Sequence, residues 1–403
     1  MKWFWMAALL LMAVSATGQP ATKGGGLPAP QAGDRDILAR MKAIPQDRAV
    51  ETPGAYAPAE VVKGGKVSLV RRGAFRVAPE AIAAAQAYAD EQGSFALIIA
   101  RGGRIVHEHY APGFGAESKF ATASMHKAVV ALAYGPAIAG GRIALVDRLD
   151  RFLPELKDDP KGAVTIEQLL RMTSGLGVAI GDAEAAAQAV AGRALSAQLM
   201  FGEDSRAVVR SFGLVSAPGT EFAYANVSTQ LAGLALEAAT GVRYSQWLSR
   251  VLWAPIGAGD ADLWMDRVGG NPHYFCCLQA TARDWLRVGE LIRHEGKAGG
   301  RQVIAADWVR AIAAPSPLNA NFGMNLWRGS PHVPVRRYGK AVALTVAAKE
   351  PFARDDVVFI DGAGAQRVYV VPSAGLTIVR IGKPALGWDD SALVNLVLAG
   401  VAD

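Results

Sequence analysis

Cysteine is scarce in this 403-residue sequence, which contains only Cys276 and Cys277, and these two are adjacent. Neighbouring cysteines pair with each other only under strain, so the sequence predicts no disulfide framework. We expect both side chains to pack as small buried hydrophobic residues. A metal site would need further ligands, and we predict neither a metal nor a cofactor.

Histidine is also infrequent, with six in the chain. His107 and His109 stand two residues apart on a predicted strand, so they share one face and could bind a metal. No third ligand motif lies nearby, which favours a solvated polar face. A metal hydrolase built on this pair is a competing hypothesis.

Massed charge is missing as well. The net charge is +6 and the basic residues are scattered, so we expect no nucleic-acid partner. Hydrophobic residues make up 51% and charged residues 19%, a composition typical of a globular protein. We expect a small-molecule partner, and the sequence leaves the oligomeric state open.

The N-terminus combines one early lysine, a short apolar core and a small-residue exit, the pattern of a secretory signal peptide. Cleavage is expected near Gly18. The apolar core is too short to span a bilayer comfortably, and an uncleaved anchor is the alternative. The sequence therefore predicts a periplasmic or secreted protein with no stable membrane insertion after cleavage.

Strands are predicted near both ends of the chain, and helices dominate the middle. A hairpin is expected near residues 95–110, and short strands return from residue 322 onwards. This order predicts one α/β half built from both termini. The predicted units are a signal peptide at 1–18, an N-terminal extension at 19–74, an α/β subdomain at 75–150 and 275–403, and an inserted helical subdomain at 151–274.

The stretch Ser124-Met125-His126-Lys127 places a hydroxyl and a primary amine three residues apart. On a helix these positions share a face, so the lysine can reach the serine oxygen, whereas His126 points about 200° away from Ser124. Serine needs an adjacent base, and a partly desolvated lysine at a helix start can lose its proton. The alternative is a serine N-cap followed by a surface lysine. We interpret His126 as a residue that either packs in the core or supports the site residues from behind without serving Ser124.

Two further motifs follow in the same chain order. Tyr224-Ala225-Asn226 precedes a predicted helix, and the Gly-rich strand Asp361-Gly362-Ala363-Gly364-Ala365-Gln366 lies near the end. Together with Met172-Thr173-Ser174-Gly175-Leu176, they give the chain a pattern that resembles the serine β-lactamase and penicillin-recognising superfamily. In detail, residues 75–400 resemble the class C-like esterases and the 6-aminohexanoate-dimer hydrolases. The resemblance implies an α/β plus all-α fold, with an antiparallel sheet flanked by helices and an inserted helical subdomain.

The resemblance also implies roles in acyl transfer. Ser124 would become acylated, and Lys127 would draw off or share its hydroxyl proton. Tyr224, held against Lys127, would have its phenolate form favoured by the ammonium and relay a proton to the leaving group. Asn226 would orient Lys127 or accept a hydrogen bond from a substrate amide.

An oxyanion hole requires two N–H donors facing the attacked carbonyl. The backbone N–H of Ser124 supplies one, and the resemblance puts the second at Ala363, with Gly364 as the other register. Glycines at Gly362 and Gly364 would let the substrate backbone approach closely.

Antibiotic-handling relatives carry Lys or His at the start of this strand motif, where this chain has Asp361 or Gly362. The missing positive charge disfavours a β-lactam or peptidoglycan carboxylate. We therefore predict an exported serine hydrolase that cleaves a small ester or, second, a linear amide, with Asp361 contacting a substrate amine. The alternatives are β-lactamase or D-alanyl-D-alanine carboxypeptidase-like activity, and a non-catalytic sensor domain of the same fold.

Overall fold

The computed structural model describes residues 32–45, 48–65, 77–178, 194–340, 342, 344–385 and 387–401. The predicted signal peptide lies outside these residues. In the described part of the chain, no helix is both long enough and apolar enough to cross a membrane.

The strands of the described residues form one large sheet, one smaller sheet and three short pairs. In chain order they are β1 (Ala59–Val62), β2 (Ser94–Arg101), β3 (Arg104–Tyr110), β4 (Lys119–Ala121), β5 (Leu176–Gly177), β6 (Gly213–Leu214), β7 (Ala261–Trp264), β8 (Leu278–Thr281), β9 (Lys297–Ala298), β10 (Arg301–Gln302), β11 (Trp327–Arg328), β12 (Val335–Arg337), β13 (Thr345–Ala347), β14 (Val358–Gly362), β15 (Gln366–Val371) and β16 (Leu376–Gly382).

The helices pack on both faces of the large sheet and fill the middle of the chain. In chain order they are α1 (Ala32–Ala43), α2 (Pro79–Glu91), α3 (His126–Ala139), α4 (Ile166–Leu170), α5 (Leu195–Phe201), α6 (Ser205–Val208), α7 (Asn226–Thr240), α8 (Tyr244–Leu248), α9 (Ala282–Arg293), α10 (Ala306–Ala313) and α11 (Ala392–Leu398).

The large sheet has the order β11-β14-β15-β16-β2-β3, and every neighbouring pair is antiparallel. Its centre pairs β16 with β2, which joins the C-terminal strands to the first hairpin. The prediction that both ends of the chain build one sheet is confirmed. The subdomain boundaries proposed at residues 150 and 274 stay a prediction.

Side chains of the central strands alternate between two hydrophobic cores. Ile98 and Val370 face the core that includes α9, whereas Ile99 and Val371 face the core that includes α2 and α11. Because helices cover both faces, β15 and β16 are buried along their whole length.

The sequence also predicts a helix opened by Pro79 and a capping box at Thr165 and Gln168, and both are confirmed. Pro79 opens α2, and Thr165 and Gln168 form the capping box that starts α4. One prediction is wrong: residues 52–65, expected to be irregular, contain β1, which pairs with β7.

The smaller sheet, β1-β7-β8-β4, positions the Ser124–Lys127 motif. β4 leads into the Ser124 turn, and β8 is preceded by residues 273–277. Because β4 and β8 are antiparallel, with Ala121 opposite Gln279, the residues after β4 must lie beside those before β8. The Cys277 N–H accordingly donates to the Ala123 carbonyl at 2.9 Å.

Candidate active site

Ser124 lies at the centre of a 3₁₀ turn, Ala123–Met125, that runs directly into α3. Ala123 has a φ of 50°, a left-handed conformation that costs a non-glycine residue about 1–3 kcal/mol and is found mostly at functional sites. Ser124 itself is only 4% exposed. The turn therefore presents a nearly desolvated hydroxyl at the start of a helix.

Lys127 is buried, with 2% of its surface exposed. Its Nζ lies 2.9 Å from Ser124 Oγ, 2.8 Å from Asn226 Oδ1 and 2.7 Å from the Phe275 carbonyl oxygen. The alternative of a surface lysine after a serine N-cap is wrong. The three oxygen atoms surround the amine, and one of them is the Ser124 hydroxyl.

These three oxygens suit both protonation states of the Lys127 amine. As an ammonium, Nζ has three hydrogens and can donate to all three. As a neutral amine, it can donate to Asn226 and Phe275 while its lone pair accepts the Ser124 hydroxyl. Burial holds the pKa of Lys127 well below its ordinary value of 10.5, and the negative charge of Asp361 opposes that shift. The geometry therefore suits a neutral base facing a serine hydroxyl.

Tyr224 lies against the same amine, although it is distant in sequence. Lys127 Nζ is 4.9 Å from the centroid of its ring, and the Ser124 side chain lies close enough to influence the pKa of the phenol. Trp327 stacks on the Tyr224 ring at 6.0 Å, and Tyr338 packs edge-on at 5.2 Å. The Tyr224 backbone N–H also donates to the Tyr338 carbonyl at 2.7 Å. The predicted meeting of serine, lysine and tyrosine in one place is thus present.

The protonation state that the structure indicates for Tyr224 differs from the one predicted from the sequence. Burial and the charge of Asp361 raise the pKa of the phenol well above 10.0, and the interaction with Ser124 only partly offsets this. The phenolate form expected from the sequence is therefore disfavoured, because burial and the nearby carboxylate both stabilise the neutral phenol. Tyr224 is a phenol that can donate a proton.

Asn226 is the first residue of α7, and its Oδ1 faces Lys127. Of the two roles predicted for it, the structure shows the orientation of Lys127. A contact with a substrate amide stays a prediction.

The third motif is a hairpin turn and not the continuous strand that was predicted. β14 ends at Gly362, and β15 begins at Gln366. A side chain at Gly362 would collide with the Thr122 carbonyl and lie 3.0 Å from the Met125 side chain, so glycine lets this strand end abut the Ser124 turn. The Gln366 amide donates to the Gly364 carbonyl at 3.0 Å and fixes the turn that contains Ala363.

Asp361 does not face a substrate. Its carboxylate accepts from Arg336 Nη1 at 3.1 Å, and it is also bonded to Arg367 and the Tyr338 hydroxyl. Both arginines reach Asp390 as well, at 2.8 Å each. All four charged side chains are buried, so they form a closed, neutral cluster. The prediction that Asp361 binds a substrate amine is corrected, since its oxygens are already occupied.

Counting residues across the hairpin could have identified Arg367 as a partner of Asp361. Asp361 and Arg367 stand directly opposite each other in the β14–β15 pair, symmetrically about Gly364. Arg336 and Asp390 come from distant segments, and nothing in the sequence pattern marked them. The Phe275 carbonyl was also missed, because a backbone acceptor carries no side-chain signature.

Cys276 and Cys277 are joined by a disulfide. The expectation that both would stay free is wrong, although both are buried as predicted. The bond lies in the segment that supplies the Phe275 carbonyl.

The two histidines on β3 share Gln86 as a hydrogen-bond partner. His107 Nε2 lies 2.6 Å from Gln86 Oε1, and His109 Nδ1 lies 2.9 Å from Gln86 Nε2. Among the residues that the structure describes, no group of three or more potential metal-binding side chains is found.

A family model described as Beta-lactamase matches residues 81–382, a span that contains Ser124, Lys127, Tyr224 and the third motif. This protein belongs to the beta-lactamase family. The match confirms the superfamily predicted from the motifs and its serine-hydrolase class.

A relative of known name matches about half of the chain. The 6-aminohexanoate-dimer hydrolase of Paenarthrobacter ureafaciens is 27% identical over 227 residues, covering 54% of this chain and 57% of that relative. The chain thus matches less than two thirds of that relative's length.

Solved structures share the fold over most of the chain. A candidate 6-aminohexanoate-dimer hydrolase from Bacillus anthracis has a TM-score of 0.68 at 18% identity, covering 94% of this chain and 96% of that one. A penicillin-binding protein homologue from Caulobacter crescentus has a TM-score of 0.55 at 17% identity, covering 80% and 97%. The predicted β-lactamase/transpeptidase-like fold is therefore confirmed.

The buried charge cluster yields a prediction for stability. Replacing Asp361→Asn leaves two buried arginines with one carboxylate, which should lower the free energy of unfolding by about 3–5 kcal/mol. Chemical denaturation measures this. Asp307→Asn is the matched control, because its carboxylate is exposed beside Arg310 and should change stability by less than about 1 kcal/mol. Equal effects of the two variants would contradict the importance of the cluster.

Proposed function

We propose that this protein is a hydrolase that cleaves a small ester through an acyl-enzyme on Ser124, with linear-amide hydrolysis as the second candidate. The observation that carries the proposal is the position of Lys127 Nζ, 2.9 Å from Ser124 Oγ in a buried site. A binding or sensor module of the same fold would need no such proton relay.

In the proposed acylation, Ser124 Oγ attacks the substrate carbonyl carbon while its proton passes to the neutral Lys127 amine. The tetrahedral intermediate then collapses, and the bond to the leaving group breaks as the Tyr224 phenol donates a proton to that group. The Lys127 ammonium returns a proton to Tyr224. Water, deprotonated by the same amine, then attacks the acyl carbon. The second tetrahedral intermediate collapses as the Lys127 ammonium returns that proton to the departing Ser124 Oγ, which releases the acid and regenerates both groups.

The oxyanion would be held by backbone N–H groups. We propose Ser124 as one donor, because it lies at the start of α3, and Ala363 as the second, with Gly364 as the other register. The contact between Gly362 and the Thr122 carbonyl supports this, since it brings the third motif against the nucleophile turn. One such donor contributes about 2.7–4 kcal/mol of transition-state stabilisation.

The charge at the third motif favours substrates without a carboxylate anchor. Asp361 stands at the start of that motif, and Arg336 and Arg367 beside it are paired with Asp361 and Asp390. A β-lactam carboxylate would have to compete with these buried ion pairs. The 6-aminohexanoate-dimer hydrolase among the relatives supports a linear amide as the second candidate.

A fluorophosphonate should label Ser124, since its oxygen displaces fluoride from phosphorus only when activated. We expect labelling to disappear in Ser124→Ala and to fall about 10²–10⁴-fold in Lys127→Arg, which keeps the charge but holds its proton. The labelling rate of the wild type should rise with pH through a midpoint well below 10.5. The exposed Ser373→Ala is the control. Undiminished labelling of Ser124→Ala would contradict the proposal.

A substrate panel tests the order of preference. We expect p-nitrophenyl acetate and longer esters up to the octanoate to be hydrolysed faster than an aminohexanoate dimer, and nitrocefin slowest, because no cation stands at the start of the third motif. Burst kinetics would report the acyl-enzyme. Turnover of nitrocefin above that of the esters would reverse the order.

We also propose that the protein is exported, on the strength of the signal-like pattern at residues 1–18. The Cys276–Cys277 disulfide supports an oxidising compartment. N-terminal sequencing of protein from a periplasmic or secreted fraction should show cleavage near Gly18, and Leu10→Arg should block it. Processing that is unaffected by Leu10→Arg would argue against this signal.

A further inference from the structure

His126 lies between the proposed nucleophile and its base, yet its side chain turns away from both. It is the first residue of α3 and is completely buried. Its ring reaches two other segments: the turn at residues 273–276, which precedes β8, and Tyr244 at the start of α8. Of the two roles left open for His126 by the sequence, these polar contacts favour support of the site over packing alone.

The partners of the ring determine its tautomer. His126 Nδ1 lies 3.3 Å from the carbonyl oxygens of both His273 and Cys276, and carbonyl oxygens only accept. The hydrogen of a neutral ring must therefore be on Nδ1. Nε2, 3.0 Å from Tyr244 Oη, then accepts from the phenol. Burial lowers the pKa of His126 to about 4, which keeps the ring neutral at physiological pH.

The turn that His126 contacts also supplies a hydrogen-bond acceptor to Lys127. Phe275 lies between the two residues whose carbonyls face Nδ1, and its own carbonyl accepts from Lys127 Nζ at 2.7 Å. The same segment is attached to the nucleophile turn through the 2.9 Å bond from the Cys277 N–H to Ala123. The segment at residues 273–277 thus contacts Ala123, His126 and Lys127.

We propose that His126 is a positioning residue that, as the Nδ1–H tautomer, orients the Phe275 carbonyl toward Lys127. This inference rests on the proposed function. When the carbonyl is in place, the neutral amine donates to Phe275 and Asn226, and its lone pair is left facing the Ser124 hydroxyl. When the carbonyl is displaced, the amine loses one of the two acceptors that set its orientation.

Loss of the Phe275 carbonyl contact should shift the pKa of Lys127 in a predictable direction. A carbonyl dipole 2.7 Å from Nζ stabilises the ammonium more than the amine. Displacing it should lower the pKa of Lys127 and move the acid limb of the pH–rate profile to lower pH. Misorientation of the lone pair should at the same time lower the plateau rate.

The other titratable groups around Lys127 and His126 are the same in the wild type and in the His126 variants. Lys127 faces Tyr224 and the charge of Asp361, and His126 faces Lys127 and Tyr244. Tyr244 is in turn influenced by Tyr134 and Glu237. Substitutions at His126 leave all of these groups in place. A shift in the acid limb of the pH–rate profile therefore reports loss of the contact between Lys127 and the Phe275 carbonyl.

Two amide substitutions separate the two ends of the ring. In His126→Asn, the amide nitrogen falls near the position of Nδ1 and can donate to the His273 and Cys276 carbonyls. In His126→Gln, the amide reaches the position of Nε2 and can accept from Tyr244, but it leaves no donor at Nδ1. We measure p-nitrophenyl acetate hydrolysis against pH for the wild type and both variants, with thermal unfolding as a parallel readout.

The inference predicts that His126→Asn keeps the acid limb of the wild type. His126→Gln should move the limb to lower pH and reduce the plateau rate about tenfold. Identical limbs in all three proteins, or equal shifts in both variants, would overturn the role of the Nδ1 donor. A lower melting temperature with an unmoved limb would indicate a purely structural residue, which also overturns it.

A second measurement needs neither folding of the variants nor activity. ¹⁵N NMR of the histidine-labelled wild type, with His126 assigned through its contact to Tyr244, should show a neutral ring protonated on Nδ1 at pH 7. An Nε2–H tautomer or an imidazolium would overturn the inference. If the tautomer is as stated but the wild type is neither labelled at Ser124 nor active on the ester, the proposed function fails instead.

Discussion

The structure of the site depends on the burial of one amine among three oxygen atoms. Lys127 Nζ is taken out of water, and its charged form is disfavoured, while the Ser124, Asn226 and Phe275 oxygens satisfy it in either protonation state. A proton can therefore move between Ser124 and Lys127 without any side chain having to rearrange. Such preorganisation is what acyl transfer at a weak nucleophile needs.

Three separate segments supply these oxygens, and the packing of the chain holds each in place. The Ser124 turn continues from β4, the Phe275 segment leads into β8, and Asn226 begins α7. Pairing of β4 with β8 fixes the first two relative to each other, and the packing of α7 against α3 fixes the third. The surroundings of Lys127 are thus formed where the smaller sheet meets the helical middle of the chain.

Sequence patterns were informative where local geometry determines the outcome. The i, i+3 spacing of Ser124 and Lys127 does bring their side chains together. Patterns failed where charges from distant segments meet. Asp361 was interpreted as a free carboxylate because Arg336 and Asp390, which lie far from it in sequence, carry no periodic signal. The protonation of Tyr224 was misjudged for the same reason, since burial depends on packing.

The sequence by itself determined the chemical groups of the site and their order along the chain: a hydroxyl and an amine one helical turn apart, then a phenol, then a glycine-rich segment. Only the tertiary structure decided the protonation of those groups and their partners. Desolvation of Lys127 and Tyr224, closure of the Asp361 cluster and the position of the Phe275 carbonyl all depend on contacts between segments distant in sequence. Spacing along the chain cannot encode such contacts, because the free energies of burial and charge pairing depend on the three-dimensional surroundings.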